Sequence, residues 1–198
     1  LGIADSLYIG DILIRNAVFQ VMPDSILYLA PIRFSLNMII GYPIIAQLGE
    51  ADIYRDGRMT IPGIPSESSL HNLALDGLDP VVSLKKGNDT LCFYFDSGAS
   101  SSALYDAYFE KYKQYIIRSA AKKTTEFGGA GGTQKKEVYV LPALHLSLGD
   151  KEVTIDSVDV LTQKIVPGEK FYGNLGQDLI GKFSAFIFNF KYMYVEGR

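Results

Sequence analysis

Leu91-Cys92-Phe93-Tyr94-Phe95-Asp96-Ser97-Gly98-Ala99-Ser100-Ser101-Ser102 is the stretch on which the reading of this chain turns. Five apolar or aromatic residues in a row read as a strand. They run straight into a carboxylate, and the carboxylate into a Ser-Gly turn. A carboxylate at the buried end of a strand is costly unless it is hydrogen-bonded or paired. Asp96 therefore either satisfies its own turn amides, as Asp does in many loops, or is held there for chemistry.

Upstream of it, short strands are expected over 72–76, 80–85 and 90–95, with Lys86-Gly87-Asn88-Asp89 turning between the last two. Downstream, the spacing of Tyr105, Tyr108, Phe109, Tyr112 and Ile116 predicts a helix from about Ser102 to Ile117, with Ser101 or Ser102 as its N-cap. Phe127-Gly128-Gly129-Ala130-Gly131-Gly132 reads as a mobile segment between charged stretches. Leu144 to Asp150 begins another strand pair, and residues 174–190 close the chain with an aromatic strand.

Residues 7–21 alternate as a hairpin around Gly10-Asp11. Within 36–48, Pro43 excludes a central strand and predicts a turn into a short helix. Asp52 to Ile61 reads as a second hairpin with Asp56-Gly57 at its tip. Pro62-Gly63-Ile64-Pro65-Ser66-Glu67-Ser68-Ser69 has no periodicity and reads as a linker.

The two parts repeat one another. Leu7-Tyr8-Ile9-Gly10-Asp11 resembles Leu146-Ser147-Leu148-Gly149-Asp150, and Phe19-Gln20-Val21 resembles Val158-Asp159-Val160. Ile40-Gly41-Tyr42-Pro43-Ile44-Ile45 resembles Leu175-Gly176-Gln177-Asp178-Leu179-Ile180. Each unit closes with a hairpin, turning near Asp56-Gly57 or Lys191-Tyr192. Such a repeat predicts two units of one fold. About 70 residues, Asp96 among them, precede the shared part of the second unit but not of the first. That makes residues 1–62 the C-terminal half of a first lobe, 63–71 a linker and 72–198 a complete second lobe.

Phe95-Asp96-Ser97-Gly98-Ala99-Ser100, followed by Leu175-Gly176-Gln177-Asp178-Leu179 and preceded by Ile39-Ile40-Gly41, resembles the signature of the retropepsin-like and pepsin-like aspartic peptidases, most of all bacterial proteins with two such units in one chain. Asn174 departs from the family's apolar preference. The resemblance covers nearly the whole sequence. It implies a mainly β acid-protease fold and peptide-bond hydrolysis by a water activated between two aspartates. These share one proton because like charges about 3 Å apart cannot both ionise. It makes Asp96 one of the pair, Ser97 and Gly98 the supports of the catalytic turn, and Gly129, Ala130 and Gly131 the flap over a peptide or protein substrate. The second aspartate is then expected from an upstream first-lobe segment or from a second copy of the chain, and this fragment alone is expected to be inactive. A catalytically inactive peptide-binding or scaffolding relative is the alternative. The resemblance points to a bacterial periplasmic, envelope or secreted protein; the residues leave location open.

Composition agrees with a β protein: 13 Tyr and 11 Phe among 198 residues that are 47% hydrophobic. With 22 acidic against 19 basic residues, net charge -3, there is no basic footprint for nucleic acid. The longest apolar runs are too short to span a bilayer, and no leader is visible at the start. The single Cys92 excludes an internal disulfide and reads as a small core residue. His71 and His145 have no ligand-spaced neighbours, so neither metal nor cofactor is expected. Ser100–Ser102 do not form a nucleophile elbow, and no Gly-Lys-Ser/Thr follows the glycines to make a phosphate loop. Asp178 reads as a helix-start residue rather than the second carboxylate, because Pro43 holds the equivalent place.

Overall fold

The computed structural model describes residues 1–29, 33–129, 132–164 and 168–198. Strands β1 (Gly2–Ile9) and β2 (Ile12–Phe19) make a two-stranded hairpin. A short 3-10 turn (Asp24–Ile26) and the small pair β3 (Tyr28–Leu29) and β4 (Phe34–Ser35) follow. Helix α1 (Tyr42–Gln47) starts at Gly41 with Pro43 in its first turn, as the ring's fixed φ favours. Strands β5 (Glu50–Tyr54) and β6 (Met59–Thr60) turn at Asp56-Gly57, with Gly57 at φ +85°.

The second part begins with β7 (Leu73–Asp76), β8 (Asp79–Lys86), β9 (Asp89–Phe95) and β10 (Ala103–Leu104). Helix α2 (Asp106–Ser119) is followed by β11 (Ala121–Gly129), β12 (Gly132–Leu148) and β13 (Lys151–Leu161). β14 (Gly173–Leu175), helix α3 (Gln177–Ile180), β15 (Ala185–Asn189) and β16 (Tyr194–Gly197) end the chain. Eight of these strands form one mixed sheet in the order β11-β12-β13-β10-β14-β9-β8-β7, and β12 also meets β8 through Ser147 and Lys85. The molecule is mainly β. Its core lies inside this sheet and under α2, where Val82, Leu91, Phe93, Leu104, Tyr108, Leu141 and Ile155 are fully buried.

The Gly10-Asp11 hairpin and the strand pair at Gly149-Asp150 both form, and they share a defect. Each turns at Gly-Asp with the glycine in the left-handed region: Gly10 at φ +58°, Gly149 at +63°. Each ladder then skips one pair, Asp5 with Asn16 and Pro142 with Ser157, and the second-strand residue there also has positive φ, +54° and +55°. Pro142 has no N–H to give to the ladder, which accounts for the skip in the second copy.

A four-stranded sheet, β16-β15-β5-β6, joins the two parts. A shift of 135 in numbering carries Gly41 onto Gly176, Glu50 onto Ala185 and Asp52 onto Ile187. Under that shift the β5–β15 register maps onto itself. Ala185 pairs with Tyr54, and the equivalent pair, Glu50 with Asn189, is also formed; Asp52 faces Ile187, its own equivalent. A local two-fold axis therefore passes between Asp52 and Ile187.

Three expectations need correction. The helix begins at Asp106, not Ser102, and Tyr105 rather than a serine is its N-cap, without a side-chain bond. Ala103 and Leu104 are drawn into the sheet between β13 and β14, where Leu104 is fully buried, and the helix starts after them. The glycine-rich stretch is the end of a long hairpin: Gly128 and Gly129 belong to β11, Gly132 to β12, and Gly129 pairs with Gly132. Cys92 faces away from the core and is half-buried.

Candidate active-site turn and its cavity

Strand β9 delivers Asp96. Its neighbours alternate, with Leu91, Phe93 and Phe95 inward and Cys92 and Tyr94 partly outward. β8 pairs antiparallel on one edge and β14 parallel on the other, where Tyr94 faces Asn174 and Phe95 faces Leu175. The ladder continues one step into the turn, the Asp96 amide donating to the Leu175 carbonyl at 3.0 Å. The turn is then pinned to the start of α3. The Gln177 amide donates to the Ala99 carbonyl (2.9 Å), and the Gln177 side-chain amide to the Ser97 carbonyl (2.6 Å).

Gly176 allows this approach. A Cβ there would lie 2.6 Å from the Ala99 carbonyl oxygen and 3.1 Å from the Ser101 backbone. Its equivalent, Gly41, meets only Pro43 Cδ at 3.7 Å. Of this matched pair of Gly-led loops, one has a turn packed against it and the other, among the described residues, does not.

Asp96, Ser97 and Gly98 are exposed, which corrects the expectation of a buried carboxylate. The Asp96 Oδ1 accepts the Gly98 amide at 2.8 Å, so the carboxylate does satisfy its own turn. The three residues line a cavity of about 300 Å³. Ile39, Ile40, Gly41 and Tyr42 from the first part line it too, with Phe188 of β15 and Phe190 just beyond that strand. Asp96 is the only carboxylate among the described residues that line it. Phe95 sits beside the cavity in an aromatic group, 5.4 Å from Phe186 and 4.8 Å from Phe188 between ring centres. Ile39, more than half exposed, leaves an apolar wall open beside the carboxylate.

Of the expected flap residues, Gly129 ends β11, while Ala130 and Gly131 lie outside the described residues. His145 bonds Thr154 across the β12–β13 ladder, Nδ1 to Oγ1 at 2.9 Å. Among the described residues, no three His, Cys, Asp or Glu side chains gather as a metal site, and no helix is long and apolar enough to cross a membrane.

Sequence reasoning missed two polar networks. Ser102 is buried and bonded to Asp178, whose Oδ2 accepts the Ser102 amide (2.7 Å) and whose Oδ1 accepts its hydroxyl (2.6 Å). Glu50, 2% exposed, accepts the Ser66 amide and hydroxyl and the Asn189 side-chain amide. The Ser66 hydroxyl also meets the Tyr194 hydroxyl at 2.8 Å. The linker is thus fastened to the joining sheet. An acid two residues from another acid on one strand face, Glu50 and Asp52, was the signal available.

The sequence matches no protein-family model and no curated protein.

Proposed function

We propose that the chain is most of an aspartic-type peptidase with the acid-protease fold, and that Asp96 supplies one of the two carboxylates between which the attacking water is activated. Residues 72–198 are read as a complete lobe, 63–71 as a linker and 1–62 as the C-terminal half of a preceding lobe. One observation carries the reading. The local two-fold axis relates Leu175-Gly176, against which the Asp96 turn packs, to Ile40-Gly41, and Ile40-Gly41 lines the same cavity as Asp96. A second strand-and-turn packed on Gly41 in the same manner brings its carboxylate toward Asp96 across the axis.

The second carboxylate is assigned to a segment on the first part's side, not to a second copy of the chain. The edge of β15 that a two-fold partner needs is already paired with β5 of the same chain. In such a pair one carboxylate takes the proton of the water while the other, protonated, polarises the peptide carbonyl. Ser97 and Gly98 shape the turn, and the β11–β12 hairpin is the candidate cover for an extended peptide.

A single observation favours the non-catalytic reading: among the described residues Asp96 is the one carboxylate lining the cavity, and it already bonds its own turn. The two readings part on turnover. In the native protein supplied with denatured protein substrate, Asp96→Asn abolishes cleavage on the peptidase reading. Cleavage that survives the substitution undiminished sinks it, and tight peptide binding without any turnover in the wild type favours the binding relative.

A further inference from the structure

We propose that Asp178 is a positioning residue for the turn that carries Asp96, acting through Ser102; this rests on the peptidase reading of Asp96. Asp178 sits in the first turn of α3, a helix of only four residues. Its carboxylate is saturated by three donors. Oδ2 takes the Ser102 amide at 2.7 Å, and Oδ1 takes the Ser102 hydroxyl at 2.6 Å and the Leu179 amide at 3.0 Å. Hydrogen bonds to an ionised acceptor are roughly twice as strong as neutral ones.

The Ser102 hydroxyl donates to Asp178 and so presents its lone pair to the buried Gly176 amide, at 3.1 Å. The chain of bonds therefore runs from Asp178 through Ser102 to Gly176, the glycine against which the turn packs. Asp96 is held at the start of this turn by the Leu175 carbonyl, and Ser102 closes its far end. With both ends fixed, the carboxylate between them keeps its place at the cavity. The equivalent of Asp178 in the first part is Pro43, whose ring offers no acceptor. The clamp belongs to the side that bears the carboxylate.

The test compares Asp178→Ala, Asp178→Asn and Ser102→Ala in the native protein, by peptide turnover and amide hydrogen exchange. Misplacing a catalytic group by ~1 Å costs on the order of 100-fold in rate. Asp178→Ala is therefore expected to lower kcat by roughly 10–100-fold with KM within about twofold. Asp178→Asn keeps Oδ1 as acceptor for the hydroxyl but sets an NH2 against the Ser102 amide that Oδ2 accepts, so it is expected to recover only part of that loss. In Asp178→Ala the Asp96 and Gln177 amides, neither of which touches Asp178, exchange faster while β13 amides are unchanged. Ser102→Ala is expected to reproduce both effects and serves if Asp178→Ala does not fold. Unchanged kcat together with unchanged exchange at Asp96 and Gln177 overturns the proposal. Asp96→Asn run alongside separates the two ideas. If it keeps full turnover, the peptidase reading falls and exchange alone decides the clamp. If it abolishes turnover while Asp178→Ala leaves kcat and exchange untouched, only the clamp falls.

Discussion

Replacing Asp52 by Asn should stabilise the protein at neutral pH. Asp52 lies on the two-fold axis of the joining sheet, 9% exposed, and its Oδ1 is buried without a hydrogen-bond partner. Burial, and then the negative charge of Glu50 two residues away on the same strand face, push its carboxyl above the usual carboxylate range; Arg198 opposes them, and an interaction with the Glu50 side chain adds to the rise. A raised carboxyl means that the folded chain holds a proton at a pH where the unfolded chain has lost it. Stability is then greatest below the unfolded value of about 3.9 and declines as pH rises through the folded value.

At pH 7 the folded protein carries the whole cost. An unsatisfied buried polar group costs about 1–3 kcal/mol. Asn has the same shape, carries no charge, and its side-chain amide can donate to Glu50 at every pH. We expect Asp52→Asn to gain at least about 1 kcal/mol at pH 7, which is a Tm rise of roughly 2–4 °C for a chain of this size. The gain should shrink toward zero near pH 4. Thermal unfolding of both proteins from pH 4 to 8 measures this. A variant no more stable than wild type at pH 7, or a difference that ignores pH, refutes the reasoning.

Gly176→Ala should destabilise by about 3 kcal/mol or more through overpacking against backbone, whereas Gly41→Ala in residues 1–198 alone, where a Cβ meets only Pro43 Cδ at 3.7 Å, should change Tm little; chemical denaturation of the pair in that chain checks the contrast. Phe186→Ala removes a fully buried ring stacked among Phe95, Phe183 and Phe188 and should cost about 3–5 kcal/mol by urea unfolding. Glu50→Ala strands the donors of Ser66 and Asn189 and should speed proteolytic nicking within 62–69, read by mass spectrometry of limited digests.

Much of the fold was legible locally. Gly10-Asp11, Gly149-Asp150 and Asp56-Gly57 announce turns because glycine takes the positive φ those turns use. Most of the aromatic and β-branched runs between them read as strands, and helix α2 was marked off by its 3–4 spacing. The reading failed where a distant partner overrode a local signal. Ala103 and Leu104 fell within the expected helix, yet β13 and β14 claim them for the sheet. Gly128 and Gly129 read as a loop, yet their ladder partners hold them extended.

At the candidate site, the sequence singled out Asp96, Ser97 and Gly98, which line the cavity, because a carboxylate at a strand end is conspicuous. It could not find the Ser102–Asp178 bond, which spans 76 residues, nor that the cavity leaves Asp96 exposed. Asp178 was placed at a helix start, where it does lie, but its donors come from elsewhere. The repeat was visible in sequence; that the repeated hairpins pair through one two-fold register was not.

The central claim is that Asp96 works with a second carboxylate seated against Gly41. A crystal structure of the native protein at the cavity tests it most directly. The account predicts an Asp carboxylate within about 3 Å of Asp96, on a turn packed against Gly41 as the Asp96 turn is packed against Gly176. A cavity filled by non-acidic side chains, or open to solvent in the whole protein, contradicts it.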